Sequence, residues 1–197
     1  EGAFKVKTKV LINTMGPWAN SFSRLEKSKK SQSMVRLVKG SHIVVKKLFN
    51  HDSAYIFQGK DGRIIFSIPY EKDFTLIGTT EVEHKEGDEV KCSIEEKKYL
   101  CDFASNYFQK KITIKDIVWD YSGVRALYEN KNVEARNASR DYTFELEEEE
   151  GSVLLTVYGG KITTHRKLAE KAVSKITSLL NLKRKDWTST QYLPGGD

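Results

Sequence analysis

The sequence predicts an α+β fold, with an antiparallel-rich mixed sheet and few helices. Apolar and polar residues alternate in several short segments, and a period of two residues is typical of β-strands. Only two longer segments repeat their apolar residues every three or four positions, which is typical of amphipathic helices. Because the short segments are clustered and do not alternate one by one with helices, a doubly wound parallel sheet is not expected.

The strands are predicted from this alternation and from the turns between them. Residues 5–13 alternate and then become apolar, as a strand that enters a core does. The segment 14–18 then forms a turn, in which Pro17 suits the start of a short helix. A Lys-Asp-Gly sequence at 60–62 indicates a hairpin turn. The remaining strands are predicted at residues 34–47 (with a break at Gly40-Ser41), 54–58, 63–69, 74–80, 117–121, 142–146 and 153–157.

Two helices are predicted, over residues 93–108 and 164–180. Ser93 and Glu96 fit a capping box, in which each side chain bonds a free backbone N–H at the helix start. The apolar face of the first helix consists of Leu100, Ala104, Tyr107 and Phe108. The buried side of the second helix consists of Leu168, Ala172, Ile176 and Leu180.

The composition is that of a soluble globular protein. Of the 197 residues, 39% are hydrophobic and 30% are charged, and no apolar run approaches the ~20 residues that span a bilayer. The first residue is Glu1, and a strand begins a few residues later. We therefore expect the chain to begin inside a longer protein.

The net charge of +6 raises the question of an anionic partner. The lysines and arginines are scattered and interrupted by acidic residues, and even the densest run, at 24–30, contains Glu26. Nucleic-acid binding is therefore not expected. A mild positive field suits an anionic small substrate or an anionic membrane surface better.

Neither a disulfide nor a metal site is predicted. Cys92 and Cys101 lie nine positions apart, on or beside the first helix. This spacing places them on opposite sides of a helix, too far apart for a disulfide, and predicts free thiols in a reducing compartment. No segment has the spacing of metal ligands, and the acidic run 147–150 is interpreted as a solvated hairpin tip.

The first candidate site lies between the last predicted strand and the second helix. The pair Gly159-Gly160 allows backbone to approach a ligand closely. Thr163 or Thr164 can cap the helix, whose N-terminus carries a partial positive charge. Arg166 occupies the first turn, where a cation is normally disfavoured by the positive end of the helix. A residue that is locally unfavourable often marks a functional site, and here it suggests a site for an anion. A tight turn without a ligand would explain the glycines equally well.

The second candidate site combines an arginine and a histidine. The strand at 117–121 is expected to end in Ser122-Gly123 and then to present Arg125, whose planar fork suits phosphate or carboxylate. His42 follows the glycine that interrupts the strand at 34–47, and a histidine can act as an acid or base near neutral pH. A surface ion pair for Arg125 and a simple hydrogen bond for His42 remain open. These patterns alone predict a soluble α+β domain with an anion site.

At these same residues the chain resembles the flavin-dependent glycerol-3-phosphate dehydrogenases, members of the D-amino-acid-oxidase-like superfamily. Seven stretches match in the family's order and cover nearly the whole length. They are NTMGPW at 13–18, RLVKGSHIVV at 36–45, IGTTEV at 77–82, DIVWDYSGVR at 116–125, RDYT at 140–143, GGKITT at 159–164 and LPGG at 193–196. The chain departs from the family's pattern at His165, where Tyr is more usual, and at Ala126, where Pro is.

The resemblance implies a division into three segments. Residues 1–33 would be a returning segment of an FAD-binding domain, 34–158 a substrate-binding domain that covers the flavin, and 159–197 the C-terminal segment of the FAD-binding domain. The Gly-rich βαβ start that holds the FAD pyrophosphate in the family would precede Glu1. We therefore expect FAD in the full-length enzyme and no bound FAD in this fragment.

The resemblance also implies roles for individual residues. Arg125 matches the substrate-binding arginine of the family, Lys161 a lysine near flavin and substrate, and His42 a position near the pocket whose role stays open. These three are the predicted catalytic residues. The predicted cofactor-binding residues are Thr14, Gly16, Trp18, Gly159, Gly160, Lys161, Ile162, Thr163 and Thr164.

The implied reaction is hydride transfer from C2 of glycerol 3-phosphate to N5 of the flavin, which gives dihydroxyacetone phosphate. The electrons would then pass to a membrane quinone, so the full-length enzyme would sit peripherally on the cytoplasmic side of a membrane. The fragment alone is expected to be soluble and inactive. Two alternatives remain open, a glycerol-3-phosphate oxidase with oxygen as acceptor and a non-catalytic basic binding module.

Overall fold

A computed structural model describes residues 2–21, 35–60, 62–128, 141–149, 152–183 and 185–196. The basic run 24–30, Met34, Asp61 and Arg140 lie outside these residues. The strands are β1 (Val10–Asn13), β2 (Val35–Lys46), β3 (Tyr55–Gln58), β4 (Ile64–Tyr70), β5 (Phe74–Gly78), β6 (Val82–Glu83), β7 (Ile117–Tyr128), β8 (Thr143–Glu149) and β9 (Ser152–Tyr158). The two long helices are α1 (Ile94–Ser105), between β6 and β7, and α2 (His165–Leu179), after β9.

The chain divides into two compact units. Unit one consists of residues 1–36 and 126–197, and unit two of residues 37–125. The assignment of segments 1–33, 34–158 and 159–197 to FAD-binding and substrate-binding domains remains a prediction.

Unit two is a mainly antiparallel sheet covered on one face by α1. The strand order is β3-β4-β5-β2-β6, and β7 also pairs with β2. Side chains alternate between the two faces of each strand, and the face under α1 supplies the core. That core contains Ile43, Val45, Ile65, Ile77, Leu100, Cys101, Phe103 and Ala104. The predicted α+β class with an antiparallel-rich sheet is confirmed.

Helix α1 begins as predicted but ends earlier. Ser93 is its N-cap, and the capping box with Glu96 is present. The helix ends at Ser105 and not at residue 108, because Tyr107 and Phe108 join an aromatic cluster at the sheet edge. The ring of Tyr107 stacks on Phe57 with 4.3 Å between centroids.

The two cysteines are free and buried. The expectation that they face opposite sides is wrong, since Cys92 and Cys101 belong to the same core cluster. Cys92 precedes the helix, so helical periodicity does not govern its direction.

Two strands of unit two continue where a break or an end was predicted. β2 continues through Gly40-Ser41, where a break was expected, and β7 continues through Ser122-Gly123 to Tyr128. These two strands pair with each other, and such pairing outweighs the weak strand preference of glycine. Arg125 therefore lies within a strand and not after a turn.

Unit one contains the sheet β1-β9-β8, in which β1 is parallel to β9 and β8 is antiparallel to it. β1 starts at Val10 and not at residue 5, because β9 pairs only with Val10–Asn13. β8 extends to Glu149, which pairs with Ser152. Residues 147–149 of the acidic run are therefore strand and not a hairpin tip, and residue 150 lies outside the described residues.

Helix α2 packs along β8. The ammonium groups of Lys171 and Lys175 lie over the rings of Tyr142 and Phe144, at 5.3 and 5.7 Å. Ala172 is buried, and the other residues of the predicted buried side are half-buried. No helix in the described part of the chain is long and apolar enough to cross a membrane.

Candidate functional site

Arg125 is held by its neighbours on the sheet face opposite α1. Its Nη2 donates a hydrogen bond to Oγ1 of Thr79, at 3.3 Å, and this hydroxyl in turn donates to the carbonyl of Thr80, at 3.1 Å. Thr79 directly follows β5. The bond to Thr79 orients this half-buried guanidinium, whose planar fork suits a phosphate or carboxylate.

His42 lies on the same face and is fixed by two contacts. Its ring stacks on Tyr121, with 5.0 Å between centroids and 6° between planes, and its Cα is directly opposite Gly78 in the β2–β5 ladder. Its Nδ1 is buried and has no hydrogen-bond partner among the described residues. Burial, and secondly the charge of Arg125, lower the pKa of His42 below its ordinary value of 6.5. The imidazole is therefore neutral at neutral pH and able to accept a proton.

A buried carboxylate lies on the α1 side of the same strands. Glu96 is only 6% exposed, and its carboxylate pairs with Nζ of Lys39 at 2.8 Å. The hydroxyls of Ser41 and Thr80 donate to its Oε1, at 2.8 and 2.6 Å, and the N–H of Ser93 donates to its Oε2, at 2.9 Å. Burial by itself would raise the pKa of Glu96, but these bonds outweigh it and lower the pKa to about 2.

The Glu96 network, which consists of Glu96, Lys39, Ser41, Thr80 and Ser122, links four elements. Oγ of Ser41 is 2.8 Å from Oγ of Ser122 on β7, and the N–H of Ser41 donates to Oγ1 of Thr80, at 2.9 Å. The network therefore ties β2, β7, the end of β5 and α1 together behind the strands that carry His42 and Arg125.

The glycine pair in unit one adopts a backbone that requires glycine. Gly159 has φ +69° and Gly160 has φ +107°, in the region that other residues rarely enter. A Cβ on Gly159 would lie 2.7 Å from the carbonyl oxygen of Asp141. Nζ of Lys161 is 3.2 Å from Oδ1 of Asp141, an exposed ion pair that contributes little to stability.

The start of α2 differs from the prediction in two respects. Thr164 precedes the helix but makes no capping bond to it, since its hydroxyl donates to the carbonyl of Lys161, at 3.0 Å. Arg166 and Lys167 both pair with the buried carboxylate of Glu170, at 2.9 and 2.7 Å. This carboxylate explains the two cations in the first turn, which are therefore no sign of an anion site.

The predicted cofactor residues of unit one lie at one edge of its sheet. β1 and β9 are parallel, so the segments that follow Asn13 and Tyr158 leave the sheet at the same edge. Asn13 holds the first segment, since its Oδ1 accepts from the N–H of Met15, at 3.1 Å. Among the predicted cofactor residues there, the apolar side chains of Trp18 and Ile162 are exposed, at 60% and 89%.

The structure thus places the predicted site residues in two clusters, one in each unit. Unit two holds Arg125 with His42, and unit one holds Lys161 with the predicted flavin residues. Sequence reasoning missed Thr79, Tyr121 and the Glu96 network, although Thr79 and Tyr121 lie within the matching motifs. No group of metal-ligating side chains occurs in the described ranges.

Comparisons with known proteins agree with these observations. Residues 1–166 match the family model DAO, described as FAD dependent oxidoreductase. The aerobic glycerol-3-phosphate dehydrogenase of Escherichia coli (strain K12) is 43% identical over 189 residues, 94% of this chain and 38% of that protein. The D-erythritol 1-phosphate dehydrogenase of Brucella abortus (strain 2308) is 38% identical over 192 residues, 97% of this chain and 38% of that protein.

A solved structure is also similar. The glycerol-3-phosphate dehydrogenase of Bacillus halodurans, crystallised with FAD, superposes with a TM-score of 0.78 at 28% identity, over 97% of this chain and 36% of the other. The chain thus spans less than two-fifths of the length of these relatives. From the family match over residues 1–166, the chain belongs to the DAO family of FAD-dependent oxidoreductases.

Proposed function

We propose that this chain is part of an FAD-dependent dehydrogenase that oxidises sn-glycerol 3-phosphate to dihydroxyacetone phosphate. The observation that carries the proposal is the pairing, on one sheet face, of the Arg125 guanidinium with a neutral His42. Two similar proteins, from Escherichia coli and Bacillus halodurans, are named as glycerol-3-phosphate dehydrogenases, which supports this substrate.

The residues of unit one fit FAD. Gly16, with φ +55°, leaves backbone open at the edge where β1 and β9 end, since a Cβ there would meet no atom within 4 Å. Trp18 and Ile162 expose apolar surface at the same edge. A flat aromatic ring system can cover such surface, and backbone N–H groups suit its polar edge. We propose that Thr14, Gly16, Trp18, Gly159, Gly160, Lys161, Ile162, Thr163 and Thr164 contact the cofactor.

We assign separate tasks to the two residues of unit two. Arg125 binds the phosphate group of the substrate, since its planar fork matches phosphate oxygens. His42 accepts the proton of the C2 hydroxyl, because a neutral imidazole is a base near pH 7. FAD, when bound, supplies the hydride acceptor. Lys161 contributes positive charge beside the cofactor.

We further propose that a quinone takes up the electrons and that the full-length enzyme binds peripherally to the cytoplasmic side of a membrane. The net charge of +6 suits an anionic lipid surface, and the similar protein from Escherichia coli is named a dehydrogenase and not an oxidase. Oxygen remains the alternative acceptor.

The similarity to a D-erythritol 1-phosphate dehydrogenase, 38% identical, favours a second candidate substrate. Erythritol 1-phosphate also carries the phosphate that we assign to Arg125 and a hydroxyl next to the phosphorylated carbon. The two candidates therefore differ in the length of the polyol and not in the chemistry at Arg125 and His42.

A steady-state assay of the full-length protein tests the proposal. We expect turnover of glycerol 3-phosphate with a soluble quinone analogue, little peroxide in air, and a kcat/KM at least tenfold lower for erythritol 1-phosphate. The 197-residue chain alone should show neither turnover nor flavin absorbance. Stoichiometric peroxide would identify an oxidase, a preference for erythritol 1-phosphate would identify the second substrate, and salt-sensitive nucleic-acid binding without turnover would indicate a basic binding module.

A further inference from the structure

Two glycines of unit two lie against the two side chains to which the proposed function gives chemical tasks. Gly40 lies on β2 and Gly78 at the end of β5. Both are buried, so atoms of neighbouring residues fill the space where a side chain would otherwise lie.

The space beside Gly78 is filled by the ring of His42. A Cβ on Gly78 would lie 2.1 Å from Cδ2, 2.6 Å from Cγ and 2.7 Å from Nε2 of this ring. These distances are far below van der Waals contact, so the His42 ring and a Cβ on residue 78 cannot both occupy this space. The two residues are directly opposite in the ladder, and this register turns the ring across the glycine and onto Tyr121.

The space beside Gly40 is filled by the tip of Arg125. A Cβ on Gly40 would lie 2.7 Å from Oγ1 of Thr79, and 2.8 and 2.9 Å from Nη1 and Nη2 of Arg125. It would therefore push on both partners of the hydrogen bond that orients the guanidinium.

Neither glycine has a positive φ. Gly40 and Gly78 are absent from the glycines with positive φ, whereas Gly159 and Gly160 are among them. A left-handed backbone is therefore not the reason for glycine at either position, and the space that the missing side chain leaves is the feature that both positions share.

We propose that Gly40 and Gly78 are positioning residues, whose missing side chains form two notches in the sheet that seat the Arg125 guanidinium and the His42 ring. This inference rests on the proposed function for its kinetic consequences. The seating itself rests on the geometry alone and is testable without turnover.

The chain offers a matched control in Gly123. It lies on β7, two positions before Arg125, it has no positive φ, and a Cβ there would meet no atom within 4 Å. Gly123→Ala therefore tests the loss of glycine itself on the same sheet, without filling either notch.

The kinetic test uses the full-length, FAD-loaded enzyme with glycerol 3-phosphate. Gly78→Ala should lower kcat by roughly tenfold to a hundredfold with little change in KM, because a displaced base loses part of the ~10²–10⁴-fold that general base catalysis contributes. Gly40→Ala should raise KM by roughly tenfold or more, because a hydrogen bond to a charged group is weakened. Gly123→Ala should change both constants less than about twofold.

A double-variant cycle separates seating from general damage to the sheet. In a His42→Ala background the clashing ring atoms are gone, so Gly78→Ala should lower neither kcat nor the melting temperature any further. If Gly78→Ala alone fails to fold, the His42→Ala/Gly78→Ala protein should regain the melting temperature of His42→Ala. Failure of both to fold, or equal loss of kcat in both backgrounds, would overturn the proposal.

A spectroscopic readout stands apart from activity. Stacking on Tyr121 places the His42 ring protons in the ring current of the tyrosine, so their NMR signals, assigned by their loss in His42→Ala, should be shifted upfield. Gly78→Ala should remove this shift and Gly123→Ala should keep it. An unchanged shift in Gly78→Ala would refute the notch. Absence of turnover in the wild-type enzyme together with the expected NMR change would instead refute the proposed function and leave the seating intact.

Discussion

Replacement of Arg125 by alanine in the full-length enzyme is expected to lower kcat/KM for glycerol 3-phosphate by roughly tenfold to several hundredfold. Hydrogen bonds to charged groups contribute about 1.5–3 kcal/mol each, and about 1.4 kcal/mol corresponds to one decade. β7 and the bond to Thr79 hold the guanidinium in place, so the substrate meets a group that is already oriented.

Arg125→Lys serves as the matched variant. It should recover only part of the loss, since an ammonium keeps the charge but not the planar fork. FAD content and melting temperature should stay close to wild type in both variants, because Arg125 is half-buried and lies outside the core cluster. Normal kinetics of Arg125→Ala, or early unfolding with loss of flavin, would show that Arg125 is not a substrate contact.

Replacement of Glu96 by alanine is expected to reduce the free energy of unfolding by about 3–5 kcal/mol, the range for a buried ion pair that loses one partner. Lys39, 9% exposed, would lose the carboxylate that pairs with it. The hydroxyls of Ser41 and Thr80 would lose their acceptor, and the capping box of α1 would be lost as well. Urea unfolding followed by circular dichroism measures the difference.

Glu95 provides the control, since it lies next to Glu96 in the first turn of α1 but is exposed. Glu95→Ala should cost less than about 1 kcal/mol, the usual size of a helix-dipole contribution. A loss of similar size in the two variants would show that Glu96 acts only through the helix start. The Glu96 network would then not hold the sheet.

The stability from Glu96 should also depend on pH in a defined window. Its pKa is lowered to about 2 from an ordinary value of 4.5. A carboxyl whose pKa is lowered by folding contributes its full stabilisation above the unfolded value and loses it as the pH falls towards the folded value. The difference between wild type and Glu96→Ala should therefore shrink between about pH 4.5 and pH 2.

The elements that depend on local sequence were predicted well. Ser93 and Glu96 are three residues apart, and their capping box is present in the structure. The strands were predicted from the alternation of apolar and polar residues, because alternate side chains of a strand lie on the same face of the sheet. Contacts between distant segments were not visible in this way. Nothing near Glu96 in the sequence indicates that its carboxylate also pairs with Lys39 and accepts from Ser41.

Glycine was the main source of error in the strands. Gly40 was interpreted as a break and Gly123 as part of a turn, because glycine has a low intrinsic preference for strands. In the structure both lie inside paired strands, and Gly40 faces Arg125 across the space of a missing Cβ. The roles of Arg125, His42 and Lys161 came from the family resemblance, and they remain predictions.

Anaerobic titration of the FAD-loaded, full-length protein with glycerol 3-phosphate tests the central claim most directly. We predict that the visible flavin absorbance is bleached with one equivalent of glycerol 3-phosphate, that one equivalent of dihydroxyacetone phosphate is formed, and that a quinone analogue restores the absorbance. A flavin that stays oxidised with excess glycerol 3-phosphate but is bleached by dithionite would contradict the proposed function.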